Sequence, residues 1–179
     1  MKSDPLFVRH LRVVAAPLLA ASVKSFCPEA SLLGGGSTSL GFYYDFIFPF
    51  HFQKEFIKEI EERMYALVAK KEPFTYLEMV PSCAEGYFLA KKEEALAEIA
   101  ATHPDSTVQL VDLFGKYYLI DQEVSIPDAG EIQGIKLLKA ECLEGRVRIH
   151  GTAFPSKQEM KTFLKERKDW VGVSHTELG

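Results

Sequence analysis

Cysteine is scarce in this chain. Cys27, Cys83 and Cys142 are the three in 179 residues, and no two have CxxC spacing. An odd, scattered set excludes a disulfide framework and a sequence-local zinc knuckle. A reducing compartment and a cytoplasmic setting follow as expectations, with all three thiols in the core as small hydrophobes. Long apolar runs are also lacking. Val13 to Ala21 is apolar but short of a bilayer span, and Ser22, Lys24 and Ser25 follow it, so no membrane partner is expected. Lys2, Arg9 and Arg12 before that run offer a weak signal-peptide pattern, which Asp4 and Pro5, read as a helix cap, oppose. An excess of positive charge is missing too. The formal net charge is -4, which argues against nonspecific binding to nucleic acid or anionic lipid and leaves room for a local basic patch. Internal repeats, low-complexity stretches and linkers are absent, so residues 1–179 read as a single domain.

What is present is ordinary for a globular core: 47% hydrophobic and 26% charged residues. Asp4 and Pro5 start a helix that runs to about Phe26, with Pro17 inside it. An interior proline removes one backbone hydrogen bond, so a kink or a restart is expected near Ala16. Gly34-Gly35-Gly36-Ser37-Thr38-Ser39 is rich in glycine but has no P-loop lysine and precedes a strand, so it reads as a flexible turn. Gly41 to Phe46 is a strand dense in aromatics. A helix from about Gln53 to Lys70 places Phe56, Ile60, Met64 and Leu67 on one face. Phe74 to Met79 is a strand. Ser82 is expected to cap a helix over about Ala84 to Ala101. Thr107 to Leu113 and Tyr117 to Ile120 form two strands about a turn at Gly115.

The strongest local pattern is a hairpin from Ile135 to Ala153. With Glu144-Gly145 as its turn, Cys142 faces Val147 and Ala140 faces Ile149 on an apolar side. Glu141 faces Arg148 and Lys139 faces His150 on a polar side turned to solvent or a groove. A last helix is expected from about Ser156 to Lys168. The order implies an α+β fold, with helices packed on a mostly antiparallel sheet.

Three stretches carry a resemblance. They are Leu18-Leu19-Ala20 with Val23-Lys24 and Pro28-Glu29-Ala30; Gly41-Phe42-Tyr43-Tyr44-Asp45-Phe46; and Arg148-Ile149-His150-Gly151-Thr152-Ala153-Phe154-Pro155. Gly130-Glu131-Ile132 and Lys136-Leu137-Leu138 add to them in order and spacing. The chain thus resembles, from about Leu6 to Gly179, the second additional domain of threonyl-tRNA synthetase. This editing domain, shared with alanyl-tRNA synthetase, removes serine mischarged on the threonine tRNA. The resemblance implies the editing-domain fold and a site made of H-x-x-x-H on the first helix and C-x-x-x-H in a later loop. Imidazoles one turn apart share a helix face and can converge with a thiol and a third imidazole on a water or a metal.

The same register puts those four positions at Val13, Pro17, Asp121 and Ser125. Valine and proline neither move protons nor hold metals. No metal or cofactor is therefore expected, the catalytic residues stay unassigned, and editing by the family's chemistry is not expected. The remaining pocket candidates are Tyr43, Tyr44, Asp45, His10 and His150. Tyr43 and Tyr44 alternate across a strand, so one can stack on a base or sugar while the other packs; core packing accounts for both equally well. His10 reads as an exposed or capping histidine that leans towards the lost pair. His150, where the family has Tyr, reads as a surface residue beside Lys139. Lys136, Lys139, Arg146 and Arg148 form a basic set diluted by Glu131, Glu141 and Glu144, and a solvated face explains it more simply than an acceptor-end patch.

Three kinds of function follow. One is a catalytically degenerate editing-domain homologue that binds a tRNA acceptor end or a synthetase-like protein. Another is a trans-editing aminoacyl-tRNA hydrolase with a rebuilt site using Asp121 with His10 or His150. The third is a piece of a divergent threonyl-tRNA synthetase, in which Lys168 to Gly179 would lead into the ligase core. Whether the chain stands alone, and its oligomeric state, stay open.

Overall fold

The computed structural model describes residues 2–167. Helix α1, Pro5–Phe26, begins where Asp4 Oδ1 accepts the Leu6 N–H at 2.9 Å, with Pro5 in the first turn. It runs unbroken through Pro17, so no restart occurs. Leu11, Val14, Ala15, Leu18, Leu19 and Val23 are fully buried on several sides of it, which marks a central helix. The whole helix is longer than its apolar run. By length and composition it could cross a bilayer, but 67% of the relevant window is buried inside the fold.

Helix α1 packs against strands β1 (Ser31–Ser37), β2 (Phe42–Ile47) and β7 (Arg146–Phe154). With β6 (Gly134–Leu143) these form a four-stranded antiparallel sheet in the order β1-β2-β7-β6. Helix α2, Phe56–Ala69, lies on α1 and β6 and buries Ile60, Met64 and Val68. A second sheet, β3 (Thr75–Met79), β4 (Val108–Leu113) and β5 (Lys116–Leu119), is also antiparallel. Helix α5, Lys157–Glu166, starts where Ser156 accepts the Glu159 N–H at 3.2 Å, and packs on β6 and β7. The α+β class holds, with two sheets where the sequence suggested one. The expected extension of α5 to Lys168, and the segment Lys168 to Gly179, lie outside the described residues.

Two element assignments need correction. The glycine run is strand, not turn. Gly34 has φ of +105° at a register shift in β1, and a Cβ on Gly35 would stand 2.3 Å from the Tyr43 carbonyl oxygen. Gly35 is there for closeness to β2, not for flexibility. The single helix expected over Ala84 to Ala101 is two, α3 (Pro81–Ala90) and α4 (Glu94–Ala101), divided at Lys92 with φ of +61°. Helix α3 starts from Val80 with Pro81 in its first turn, so Ser82 does not cap it.

The 134–154 hairpin has the expected register: Lys139 opposite His150, Ala140 opposite Ile149, Glu141 opposite Arg148 and Cys142 opposite Val147. Its faces are less simple. Cys142 is exposed at the hairpin tip and Cys83 is exposed on α3, so Cys27 alone of the three is a core thiol. His150 is 4% exposed and is not a surface residue. A register shift lies between Leu137 and Lys139, next to His150.

Candidate binding site on the polar sheet face

Strand alternation divides β2 into two sides. Phe42, Tyr44 and Phe46 are buried in the main core. Tyr44 is a packing residue, and burial pushes its phenol well above the ordinary value. Tyr43 and Asp45 occupy the other side, opposite His150 and Arg148 of β7.

Asp45 is the electrostatic centre of that side. It is 7% exposed. Arg148 Nε donates to its Oδ1 at 2.7 Å and Nη2 donates to its Oδ2 at 2.9 Å, a two-pronged pair. Arg146 Nε stands 3.4 Å from Oδ2. The hydrogen bond to Asp45 raises the Arg148 pKa above its ordinary value, so the guanidinium is fixed in charge and place. The same guanidinium carbon lies 4.5 Å from the Tyr43 ring centroid, a cation–π contact that orients the half-buried ring. The basic set is thus partly consumed, because Arg146 and Arg148 both serve Asp45. Lys136 Nζ stands 3.7 Å from Glu61 Oε1.

His150 lies with its ring centroid 6.4 Å from that of Tyr43, and its Nε2 is 3.7 Å from Glu141 Oε2. On the far side of Tyr43, Asp121 Oδ2 accepts the Ser37 N–H and hydroxyl, each at 3.0 Å, which fastens the end of β1. A Cβ on Gly36 would stand 3.0 Å from Asp121 Oδ2 and 3.8 Å from Tyr43 Cε1. Gly36 therefore lets the Asp121 carboxylate lie close against the β1 backbone. Tyr43, Tyr44 and Asp45 also line a cavity of about 200 Å³ with Gly34, Gly35 and Ile99. That is below the size usual for small-molecule sites.

The structure thus gathers Tyr43, Asp45, His150 and Asp121 around one stretch of sheet. The two α1 positions that the resemblance assigns to histidines are different. Val13 is 2% exposed and Pro17 is buried, both parts of the packed helix. His10 is half-buried on α1 and Ser125 is exposed. Among the described residues no group of three or more His, Cys, Asp or Glu is placed to hold a metal. Sequence reasoning missed Gly36 and Ser37, and underrated Arg148. The signal available for Arg148 was its register opposite Asp45, which needed the β2–β7 pairing to be known.

No family model matches the chain. It is similar to threonine–tRNA ligases. That of Polaromonas naphthalenivorans (strain CJ2) is 33% identical over 177 residues, covering 94% of this chain and 28% of the relative. That of Burkholderia multivorans (strain ATCC 17616 / 249) is 30% identical over 184 residues, covering 98% and 29%. That of Acidovorax sp. (strain JS42) is 32% identical over 179 residues, covering 94% and 28%. The chain thus spans under a third of the length of the curated relatives it matches, and nearly all of it is matched. This supports a domain or fragment derived from such a ligase.

Proposed function

We propose that this ligase-derived domain is of the editing type, with the hydrolytic side chains replaced, and that it binds a tRNA acceptor end on its polar sheet face in a cytoplasmic, translation-linked role. The observation that carries it is the contrast between two regions. Where the resemblance places two imidazoles, Val13 and Pro17 are packed into α1. Meanwhile Tyr43 is retained, half-buried and oriented by Arg148. A ring held in this way is a stacking platform for a terminal base or ribose.

The test is binding of a fluorescent RNA minihelix ending in the 3′ acceptor sequence. The chain is expected to bind it, and Tyr43→Ala is expected to weaken binding roughly tenfold, as for loss of one stacked base. A minihelix that does not bind, or a Tyr43→Ala variant that binds it equally well, would remove the acceptor-end role.

One observation favours a rebuilt hydrolase instead. His150 stands 3.7 Å from Glu141, an imidazole beside an acid that could orient it. Its 4% exposure works against direct attack on a bulky ester. Asp121, the other candidate for such a site, is spent on Ser37.

A further inference from the structure

A cleft of about 940 Å³ opens between the start of α1, the loop at 37–39 and α5. It lies within the size range of small-molecule sites. Arg12 forms part of its wall and is only 7% exposed. The Nε of Arg12 donates to the Ala153 carbonyl at 3.4 Å and Nη1 to the Ser39 carbonyl at 3.1 Å. Its guanidinium carbon lies 4.9 Å from the Phe154 ring centroid and 6.0 Å from that of Phe163.

Among the described residues no carboxylate lies within ion-pairing distance of Arg12, and its Nη2 has no protein acceptor. A buried cation is ordinarily neutralised by a partner, because taking an isolated charge out of water is expensive. Here burial alone lowers the Arg12 pKa to about 10, so it stays charged at neutral pH.

The rest of the wall is mixed in sign and positive on balance. Lys2, Arg9 and Arg167 line it, against Glu159 and Glu166. Glu159 is already engaged, accepting the Ser3 N–H at 2.6 Å, the Ser3 hydroxyl at 2.9 Å and the Ser156 hydroxyl at 3.3 Å. The Thr38 hydroxyl accepts the Gly41 N–H at 2.9 Å, which leaves its own proton free to donate.

We propose that this cleft is a binding site for a phosphate-bearing small anion, with the Arg12 guanidinium as buried anchor and Arg9 and Lys2 at the rim. A phosphate fits better than a carboxylate because its three or four oxygens can use the guanidinium, the rim cations and the hydroxyls of the loop together. The cleft adjoins the acceptor-end face at Ser37, but Tyr43 takes no part in its wall.

Titration calorimetry of the full chain with pyrophosphate, AMP, adenosine and acetate tests it. Pyrophosphate and AMP are expected to bind and to compete with each other, while adenosine and acetate do not bind. Arg9→Gln, on the exposed rim, is expected to weaken both roughly tenfold without changing the melting temperature. Arg12→Lys is expected to weaken them further, and Tyr43→Ala to leave them unchanged. Absence of binding by both phosphates at millimolar concentration would overturn the site. So would AMP and adenosine binding equally well, or binding unaffected by Arg9→Gln.

Discussion

Replacing Gly41 by alanine is expected to destabilise the chain by about 3 kcal/mol or more, at the upper end of what overpacking costs. The Cβ would stand 2.0 Å from the Gly151 carbonyl oxygen and 3.0 Å from its carbonyl carbon. Both belong to backbone inside β7, so no side chain can rotate away to relieve the contact. Either β2 separates from β7 at its first pair, Phe42 opposite Gly151, or the β1–β2 turn shifts. The turn is itself tied down, because the Thr38 N–H donates to the Gly41 carbonyl at 2.8 Å. For a chain of this size the expected fall in melting temperature is about 6–12 °C. Chemical denaturation of the purified variant measures it. A midpoint within error of the parent would mean that β2 and β7 are not in this register. Gly86 serves as the control, since a Cβ there meets nothing within 4 Å, and Gly86→Ala, in mid-helix, is expected to be neutral or stabilising.

The second large effect is expected from Arg148→Ala, at about 2–3 kcal/mol. Breaking a buried ion pair by removing one partner is worth about 3–5 kcal/mol when both charges are deeply buried. Here the Asp45 side chain is 10% exposed and that of Arg148 is 24% exposed, and Arg146 remains 3.4 Å from Asp45, so a smaller figure applies. The loss falls mainly on Asp45, whose carboxylate would keep a desolvated charge with one weaker partner. The double variant Asp45→Ala/Arg148→Ala is therefore expected to cost less than the sum of the singles, by about 1–3 kcal/mol. Equilibrium unfolding of the three variants checks this. Additive losses, or a single-variant cost under about 0.5 kcal/mol, would show the pair to be a surface contact.

Much of this fold could be read from periodicity and turn chemistry. Asp4-Pro5 marked the start of α1, Ile60 and Met64 marked the buried face of α2, and Glu144-Gly145 set the register of β6 against β7. What escaped depends on contacts between elements. Gly34-Gly35-Gly36 is indistinguishable from a loop until the Tyr43 backbone is known to lie against Gly35. Lys92, the residue with φ of +61° between α3 and α4, carries no glycine-like signature. His150 alternates as a polar-face residue should, yet it is buried, because exposure of a sheet face depends on what lies over it and not on the strand's own pattern. In the candidate site, Tyr43 and Asp45 were legible on one strand, whereas the link from Asp121 to Ser37 spans 84 positions and has no local signal.

The proposed editing-type domain without hydrolytic chemistry is tested most directly by seryl-tRNA mischarged on the threonine tRNA. Positioned general acid–base groups are typically worth about 10²–10⁴-fold in rate, and Val13 and Pro17 supply none on α1. With the chain in excess, the expected result is release of serine at the buffer rate. Release well above that rate, and lost on Asp121→Ala, His10→Ala or His150→Ala, would contradict this and establish a rebuilt hydrolase.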